Sequence, residues 1–136
     1  MIAQISAQQT WEALKDAPDA VLVDVRTPME WQQVGLPDLA SLGRPVATLT
    51  WQPGTEAAFA AALTQAVPAR ETPLYFICRS GARSQSASLL AEYLGYAHVH
   101  NVADGFEGPP DETGQRGRVM GWQAAGLPSR TPSTGT

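Results

Sequence analysis

The sequence has a single cysteine, Cys78, among its 136 residues. One cysteine excludes an internal disulfide, so nothing in the composition requires an oxidising compartment. Long apolar runs are also missing, since no stretch approaches the roughly 20 apolar residues that a membrane-spanning helix needs. The first residues, Met1 to Ser6, lack the basic start and apolar core of a secretion signal. These absences predict a cytoplasmic protein without a membrane partner.

Basic residues are scarce as well. The chain has 9 lysines and arginines against 13 aspartates and glutamates, which gives a formal net charge of -4. Because nucleic-acid binding relies on a basic face, this balance argues against nucleic acid as a partner. The two histidines, His98 and His100, have no second acidic or thiol ligand near them in the sequence. We therefore expect surface histidines on one face of a strand, and no metal site.

What the sequence does contain is the pattern of one α/β domain. Its length suits a single domain, and 43% apolar residues suit an ordinary globular core. Short apolar runs, continuous as in buried parallel strands, alternate with helical patterns. We predict strands at 2–5, 20–25, 46–51, 74–77 and 97–102. The domain is predicted to span 1–128, with an inserted surface loop at 107–119, and a disordered tail is predicted at 129–136.

The stretch from residue 74 to 94 organises the rest of the chain. Cys78 stands where a buried strand ends, and a short loop with Gly81 leads into a helix. This arrangement directs backbone N–H groups and the positive end of the helix dipole toward the sulfur. With the charges of Arg79 and Arg83, it is a setting in which a cysteine forms a thiolate. A lone cysteine there is otherwise often a small core residue, but such a residue does not need two neighbouring arginines.

Three segments of the chain resemble one protein family. Residues Cys78–Ser84, reading CRSGARS, resemble the active-site loop of single-domain rhodanese-like sulfurtransferases. The segment 24–31, reading DVRTPMEW, resembles the family's aspartate-valine-arginine segment. The segment 121–128, reading GWQAAGLP, resembles its closing tryptophan segment. The resemblance implies an α/β, rhodanese-like fold with a central, mostly parallel five-stranded sheet and helices on both faces.

The resemblance also implies a chemistry. Cys78 would carry a sulfane sulfur as a persulfide, taken from thiosulfate or a related small anionic donor and passed to a thiol or cyanide acceptor. No cofactor is expected, because sulfur itself is the transferred group. The anion-binding loop is expected to comprise Arg79, Ser80, Gly81, Ala82, Arg83 and Ser84. Three further residues are expected to support that loop: Asp24, Arg26 and Trp122.

Two alternative functions remain open on the sequence. Phosphatases of the same fold type use a cysteine and an arginine separated by five residues, whereas four residues separate Cys78 from Arg83. The shorter loop encloses a smaller volume, which favours one extra sulfur atom over phosphate or arsenate. The other alternative is a persulfide carrier or docking module for a dedicated acceptor protein, although docking members of the fold typically lack the nucleophile.

Two acidic residues near the first buried strand receive separate predictions. Glu30 lies three residues after Thr27, which is the spacing of a capping box, so it is predicted to cap a helix. Asp24 lies at the carboxyl end of its strand, as Cys78 does, where α/β sheets gather ligands. We predict that Asp24 pairs with Arg83 and so holds the loop rigid.

Overall fold

A five-stranded parallel sheet forms the centre of the structure, a computed structural model that describes residues 2–131. Along the chain, the strands of this sheet and of a smaller second sheet are β1 (Ala3–Ile5), β2 (Val21–Asp24), β3 (Leu36–Pro37), β4 (Ala47–Thr48), β5 (Leu74–Ile77), β6 (Val99–Val102) and β7 (Ser129–Arg130). The helices are α1 (Ala7–Asp16), α2 (Pro28–Gln33), α3 (Glu56–Ala66) and α4 (Ala82–Tyr93), with a 3₁₀ turn at Ala40–Leu42. None of the helices within residues 2–131 is long and apolar enough to cross a membrane.

The central sheet has the strand order β1-β6-β5-β2-β4, and each neighbouring pair is parallel. Strand β5 lies in the middle, between β6 and β2. Asp24 at the end of β2 lies opposite Ile77 at the end of β5. The residues that follow these two strands, Arg26 and Cys78 among them, therefore lie at one edge of the sheet, where α/β folds place their ligand sites.

Helices cover both faces of the sheet, as predicted. Phe76 and Cys78 point to a cluster that contains residues of α3 and α4, whereas Tyr75 and Ile77 point to a cluster with α1. Because side chains alternate across a strand, two covered faces require an unbroken apolar run, here Leu74–Ile77. Fully burying one such side chain stabilises the fold by about 1.5–3 kcal/mol. The parallel α/β fold is confirmed.

Helix α2 begins as the sequence predicts. The Thr27 hydroxyl accepts a hydrogen bond from the Glu30 N–H, and the Glu30 carboxylate accepts one from the Thr27 N–H. Pro28 occupies the first helical position, where its missing N–H costs no hydrogen bond. The capping box at Glu30 is confirmed, and it holds this carboxylate at the first turn of α2.

A second, two-stranded sheet corrects the prediction for the C-terminal segment. Strand β3 pairs antiparallel with β7, and Leu36 lies opposite Arg130. Ser129 and Arg130 are therefore ordered, although the sequence predicted disorder from residue 129 onwards. The pairing is invisible in the local pattern, because each strand has two residues and its partner lies far away in sequence. The predicted disorder of 132–136 lies outside the described residues.

The predicted strand at 46–51 is also shorter than expected. Only Ala47 and Thr48 form the β4 ladder with β2. The chain nevertheless continues along β2, since the N–H groups of Leu49 and Trp51 donate to the carbonyls of Asp24 and Val25. This edge segment runs past the carboxyl end of β2.

Candidate functional site

The loop after β5 turns sharply at Gly81. Its φ of 103° lies in the left-handed region, which favours glycine. A Cβ at this position would lie 2.4 Å from the carbonyl oxygen of Ala103, so no side chain fits without a shift of backbone. Gly81 is also the N-cap of α4. The glycine therefore lets the helix N-terminus begin directly beside the end of β5.

The Cys78 sulfur lies inside this loop, and the residue is only 1% exposed. The Gly81 N–H donates to Sγ at 3.1 Å and the Ser84 N–H at 3.4 Å. The Ser84 hydroxyl oxygen lies 3.2 Å from the same sulfur. Backbone donors at a helix N-terminus stabilise negative charge on the atom that they face. The geometry suits an anionic sulfur, whereas Ser80 and Ala82 are exposed.

A second segment, residues 105–108, holds the loop from outside. Three of its backbone N–H groups donate to loop carbonyls: Phe106 to Cys78 at 2.8 Å, and Glu107 and Gly108 to Arg79, both at 3.0 Å. A Cβ on Gly105 would lie 2.4 Å from the Arg79 carbonyl oxygen. The insertion predicted at 107–119 therefore starts against the cysteine loop.

Arg79 and Arg83 occupy different environments. The Arg79 side chain is exposed, and it has no ion-pair partner within residues 2–131. Arg83 is partly buried and donates two hydrogen bonds to Glu30, Nη1 to Oε1 at 2.7 Å and Nη2 to Oε2 at 2.9 Å. Of the two arginines, Arg79, which follows Cys78 directly in the chain, is the one whose charge has no acidic partner among residues 2–131.

The predicted Asp24–Arg83 pair is wrong. Asp24 instead binds Arg26, with Nη2 to Oδ2 at 2.7 Å and Nε to Oδ1 at 3.0 Å, and both side chains are 0% exposed. Residues two apart on an extended chain point to the same side, so this bidentate pair forms locally. Arg83 is left to the carboxylate of Glu30, which the capping box places at the first turn of α2.

The Arg83–Glu30 pair alters the titration of both groups. Burial raises the pKa of Glu30, but the hydrogen bonds and charge of Arg83, with bonds from Thr27, outweigh it and lower the pKa from 4.5 to about 2. The Glu30 hydrogen bond raises the pKa of Arg83 against the effect of burial, and the charges of Cys78 and Asp24 raise it further. The pair is therefore charged at neutral pH, and Arg83 acts electrostatically on the sulfur.

The buried Asp24–Arg26 pair contacts the loop through Phe106. The Arg26 guanidinium carbon lies 4.4 Å from the centre of the Phe106 ring, which is a cation–π contact. Arg26 also donates to the Gly35 carbonyl at 2.8 Å, which ties β2 to the start of β3. Since the Phe106 N–H binds the Cys78 carbonyl, the pair supports the position of the loop rather than the sulfur itself.

Trp122 lies in the core, away from the face that holds Cys78. Its side chain is fully buried in the cluster that contains α1 residues, and its ring meets Trp11 edge-on, with centroids 5.9 Å apart. The Nε1 group donates to the Pro128 carbonyl at 2.6 Å. The Trp122 N–H donates to the Gly105 carbonyl at 2.9 Å. Its link to the loop is therefore indirect, through Gly105.

The sequence pattern did not reveal Asn101, which lies on β6 beside the loop and is 2% exposed. Its Oδ1 accepts from the Ser84 hydroxyl at 2.5 Å. Its Nδ2 donates to the Gly81 carbonyl at 3.2 Å and to Gln4 Oε1 at 2.8 Å. One feature of the sequence could have indicated Asn101: it is a polar residue inside a buried strand, Val99–Val102. Buried polar residues need hydrogen-bond partners.

The two histidines have separate surroundings. His98 is exposed, and its Nε2 lies 4.0 Å from the Glu71 carboxylate. The His100 ring stacks on Tyr75, with centroids 4.2 Å apart. In the part of the chain that the structure describes, no group of three or more His, Cys, Asp or Glu side chains could hold a metal ion.

Sequence comparisons relate the whole chain to known proteins. Residues 2–136 match the family model described as the STR4 middle domain. An uncharacterised protein of Rickettsia conorii is 35% identical over 124 residues, which cover 90% of this chain and 98% of the relative. A protein of Allochromatium vinosum named sulfurtransferase is 28% identical over 132 residues, which cover 97% of this chain and 98% of the relative.

Solved structures are similar over the same extent. The crystal structure of Rv0390 from M. tuberculosis has a TM-score of 0.87 at 45% identity and covers 96% of this chain and 98% of that chain. A polysulfide-sulfur transferase homodimer from Wolinella succinogenes has a TM-score of 0.70 at 22% identity, covers 98% of this chain and 82% of that chain, and shows the fold alone. With a full-length family match, a named relative and a cysteine loop of this geometry, the chain belongs to the single-domain, rhodanese-like sulfurtransferase family.

Proposed function

We propose that the protein transfers a sulfane sulfur through a persulfide on Cys78. The donor is thiosulfate or a related anion, and the acceptor is a thiol or cyanide. The observation that carries the proposal is that Cys78 Sγ accepts hydrogen bonds from two backbone N–H groups at the start of α4. Such donors stabilise the Cys78 thiolate that attacks the sulfur donor and the same thiolate when it is regenerated after transfer.

In the first step the Cys78 thiolate attacks the outer sulfur of thiosulfate. A bond forms between Sγ and that sulfur, while the bond between the two sulfurs of the donor breaks. Sulfite leaves with the electron pair of the broken bond. The persulfide then carries the single negative charge that the thiolate carried, and sulfite carries the two negative charges that thiosulfate carried. Arg79, which is exposed and has no ion-pair partner among the described residues, attracts the donor and stabilises the departing sulfite.

In the second step a nucleophilic acceptor attacks the outer sulfur of the persulfide. The new bond joins the acceptor to that sulfur, and the S–S bond to Cys78 breaks. Its electron pair returns to Sγ, which regenerates the thiolate. Cyanide is converted to thiocyanate and a thiolate to a new persulfide, so no external oxidant or cofactor takes part.

The remaining site residues position the loop in this proposal. Arg83 is bound to Glu30, so it holds the first turn of α4 and adds positive charge near the sulfur. The buried pair of Asp24 and Arg26 acts through Phe106, and Trp122 acts through Gly105. The donor anion contacts the loop at its exposed side, where the side chains are Arg79, Ser80 and Ala82.

Mass spectrometry after treatment with thiosulfate tests the proposal. The wild-type protein is expected to gain one sulfur atom, and Cys78→Ser to gain none, because the chain has no other thiol. The added sulfur should disappear on addition of cyanide, with release of thiocyanate. An unmodified wild type, or an equal gain on Cys78→Ser, would overturn the proposal. Hydrolysis of an aryl phosphate by Cys78 would instead favour the phosphatase alternative.

A persulfide carrier for a dedicated acceptor protein is a second candidate. The observation that favours it is the burial of Cys78, which is 1% exposed, so a stored sulfur is shielded from bulk solvent. A carrier loads from thiosulfate but passes sulfur to small thiols and cyanide slowly, and to its acceptor protein quickly. Rates with a panel of thiol acceptors separate the two candidates. The cytoplasmic location and the lack of nucleic-acid and membrane partners stay predictions of the sequence.

A further inference from the structure

A chain of side-chain hydrogen bonds leads away from the Cys78 sulfur into β6. The Ser84 hydroxyl, 3.2 Å from Sγ, donates to Asn101 Oδ1 at 2.5 Å. Asn101 Nδ2 donates to Gln4 Oε1, and Gln4 Nε2 donates to Gln85 Oε1 at 2.6 Å. Ser84 is 0% and Asn101 2% exposed, so water does not readily replace either partner. The network therefore decides which way the Ser84 hydrogen points.

The orientation of the Asn101 amide is fixed by the Gly81 carbonyl. A backbone carbonyl can only accept, so the Asn101 atom 3.2 Å from it must be Nδ2. The second Nδ2 hydrogen binds Gln4 Oε1. The oxygen of the amide consequently faces Ser84, and this oxygen can only accept. A rotation of the amide by half a turn would bring its oxygen against the Gly81 carbonyl.

The Ser84 hydroxyl has one hydrogen, and Asn101 Oδ1 takes it. The oxygen of Ser84 is therefore left to face Cys78 Sγ with a lone pair. The Ser84 oxygen can accept a hydrogen bond from the Cys78 thiol, but the hydroxyl donates none to the Cys78 thiolate. For the hydroxyl to turn toward a thiolate, Asn101 Oδ1 would have to lose its partner in a buried site, which is costly.

We propose that Asn101 is a positioning residue that holds the Ser84 hydroxyl hydrogen away from the sulfur and so restrains thiolate formation at Cys78. The inference rests on the proposed function only in taking Cys78 as the nucleophile. Ionisation moves one proton from Sγ to solvent and changes no bond between heavy atoms. In the persulfide the charge lies on the outer sulfur, so the lone pair of Ser84 then faces an uncharged atom. The Ser84 lone pair therefore disfavours the Cys78 thiolate more than it disfavours the Cys78 persulfide.

The pH dependence of iodoacetamide alkylation tests this role, because Cys78 is the only thiol in the chain. In Asn101→Leu the Ser84 hydroxyl is free to donate to the sulfur, so the alkylation midpoint should move about one pH unit toward acid. In the Ser84→Ala background, Asn101→Leu should cause no such shift. Ser88→Ala, which removes a buried hydroxyl one turn further along α4, should leave the midpoint in place.

A purely structural role for Asn101 predicts a different result. Its loss would then shift the midpoint equally with and without Ser84, or shift it toward base by loosening the loop. Either result, or no shift at all, overturns the proposal. Thiosulfate loading of the wild type is measured in parallel, so failure to load Cys78 counts against the proposed function, while an unmoved midpoint in a protein that loads counts against the role of Asn101.

If Asn101→Leu does not fold, infrared spectroscopy of the wild-type protein tests whether the Cys78 thiol donates a hydrogen bond to Ser84. Below the alkylation midpoint, the single S–H stretching band in the infrared spectrum should lie at the lower frequency of a hydrogen-bonded thiol. In Ser84→Ala the band should move to the higher frequency of a free thiol, because the acceptor is gone. A band at the free-thiol frequency in the wild type overturns the proposal.

Discussion

Arg83 and Glu30 form a bidentate ion pair that joins two helices, each of which follows one of two neighbouring strands. Glu30 lies in the first turn of α2, after β2, and Arg83 in the first turn of α4, after β5. The two strands pair in parallel. The pair therefore connects the two chain segments that leave the sheet at the carboxyl edge, and it secures one side of the loop around the sulfur.

Replacing Glu30 by glutamine should weaken the fold in a pH-dependent way. Glutamine keeps an acceptor for the Thr27 N–H but loses the charge that Arg83 binds. At neutral pH the free energy of unfolding should fall by about 1 kcal/mol, because both side chains of the pair are partly exposed. Urea denaturation measures it, with Glu71→Gln at an exposed site as the control.

The pKa of Glu30 sets the sign of that pH dependence. It is about 2 in the folded protein, below the ordinary 4.5. A carboxyl with a lowered pKa stabilises the fold fully above the ordinary value and loses this contribution as the pH falls through the folded value. The difference between wild type and Glu30→Gln should therefore shrink between pH 4.5 and about 2. A difference that stays constant over this range would argue against the ion pair.

Arg79→Gln should impair donor binding without affecting stability. The side chain is exposed and is proposed to attract the anionic donor. The KM for thiosulfate is expected to rise about tenfold, as for the loss of one charge-assisted contact, and to depend less on salt. Lys15→Gln removes the same charge from α1 and should leave KM unchanged. If both substitutions raise KM equally, the net charge of the protein, and not a contact between Arg79 and the donor, would explain the change.

Gly105→Ala and Gly114→Ala form a matched pair. Both glycines have positive φ, 69° and 85°, so alanine is strained at either position. A Cβ at Gly105 would lie 2.4 Å from the Arg79 carbonyl oxygen, whereas a Cβ at Gly114 would meet open space within the described part of the chain. We expect Gly114→Ala to cost about 1 kcal/mol and Gly105→Ala about 1–3 kcal/mol more, with loss of sulfur loading. Similar losses at both positions would contradict the close approach.

Asp24→Asn should be strongly destabilising. It leaves the Arg26 guanidinium, which is 0% exposed, without a negative partner. Removal of one member of a buried pair costs about 3–5 kcal/mol, measured as the free energy of unfolding in urea. Asp16→Asn, at an exposed position on α1, serves as the control. A loss below about 1 kcal/mol would show that Arg26 finds another partner.

The cysteine loop could be predicted because its parts are neighbours in the chain. An apolar run, a glycine with positive φ and a helix start follow one another within Leu74–Tyr93, so their order implies their geometry. The continuous apolar strands likewise predicted a parallel sheet covered on both faces. The capping box at Thr27 and Glu30 is equally local.

The choice of ion-pair partners could not be predicted in the same way. Asp24 and Glu30 both lie near the carboxyl edge, and either could meet an arginine there. The outcome depended on Arg26, whose guanidinium reaches Asp24 within one extended segment and leaves Arg83 to Glu30. Strand β7 escaped prediction for a related reason, since it pairs with β3, which is far away in sequence.

The sequence by itself determined the parallel fold, the place of Cys78 at a strand end and the glycine turn that brings a helix N-terminus to it, because each follows from residues adjacent in the chain. Only the tertiary structure decided which carboxylate binds which arginine and that Asn101 of β6 takes the Ser84 hydrogen. These contacts are set by distances of a few ångströms between segments remote in sequence, and no local pattern encodes such distances.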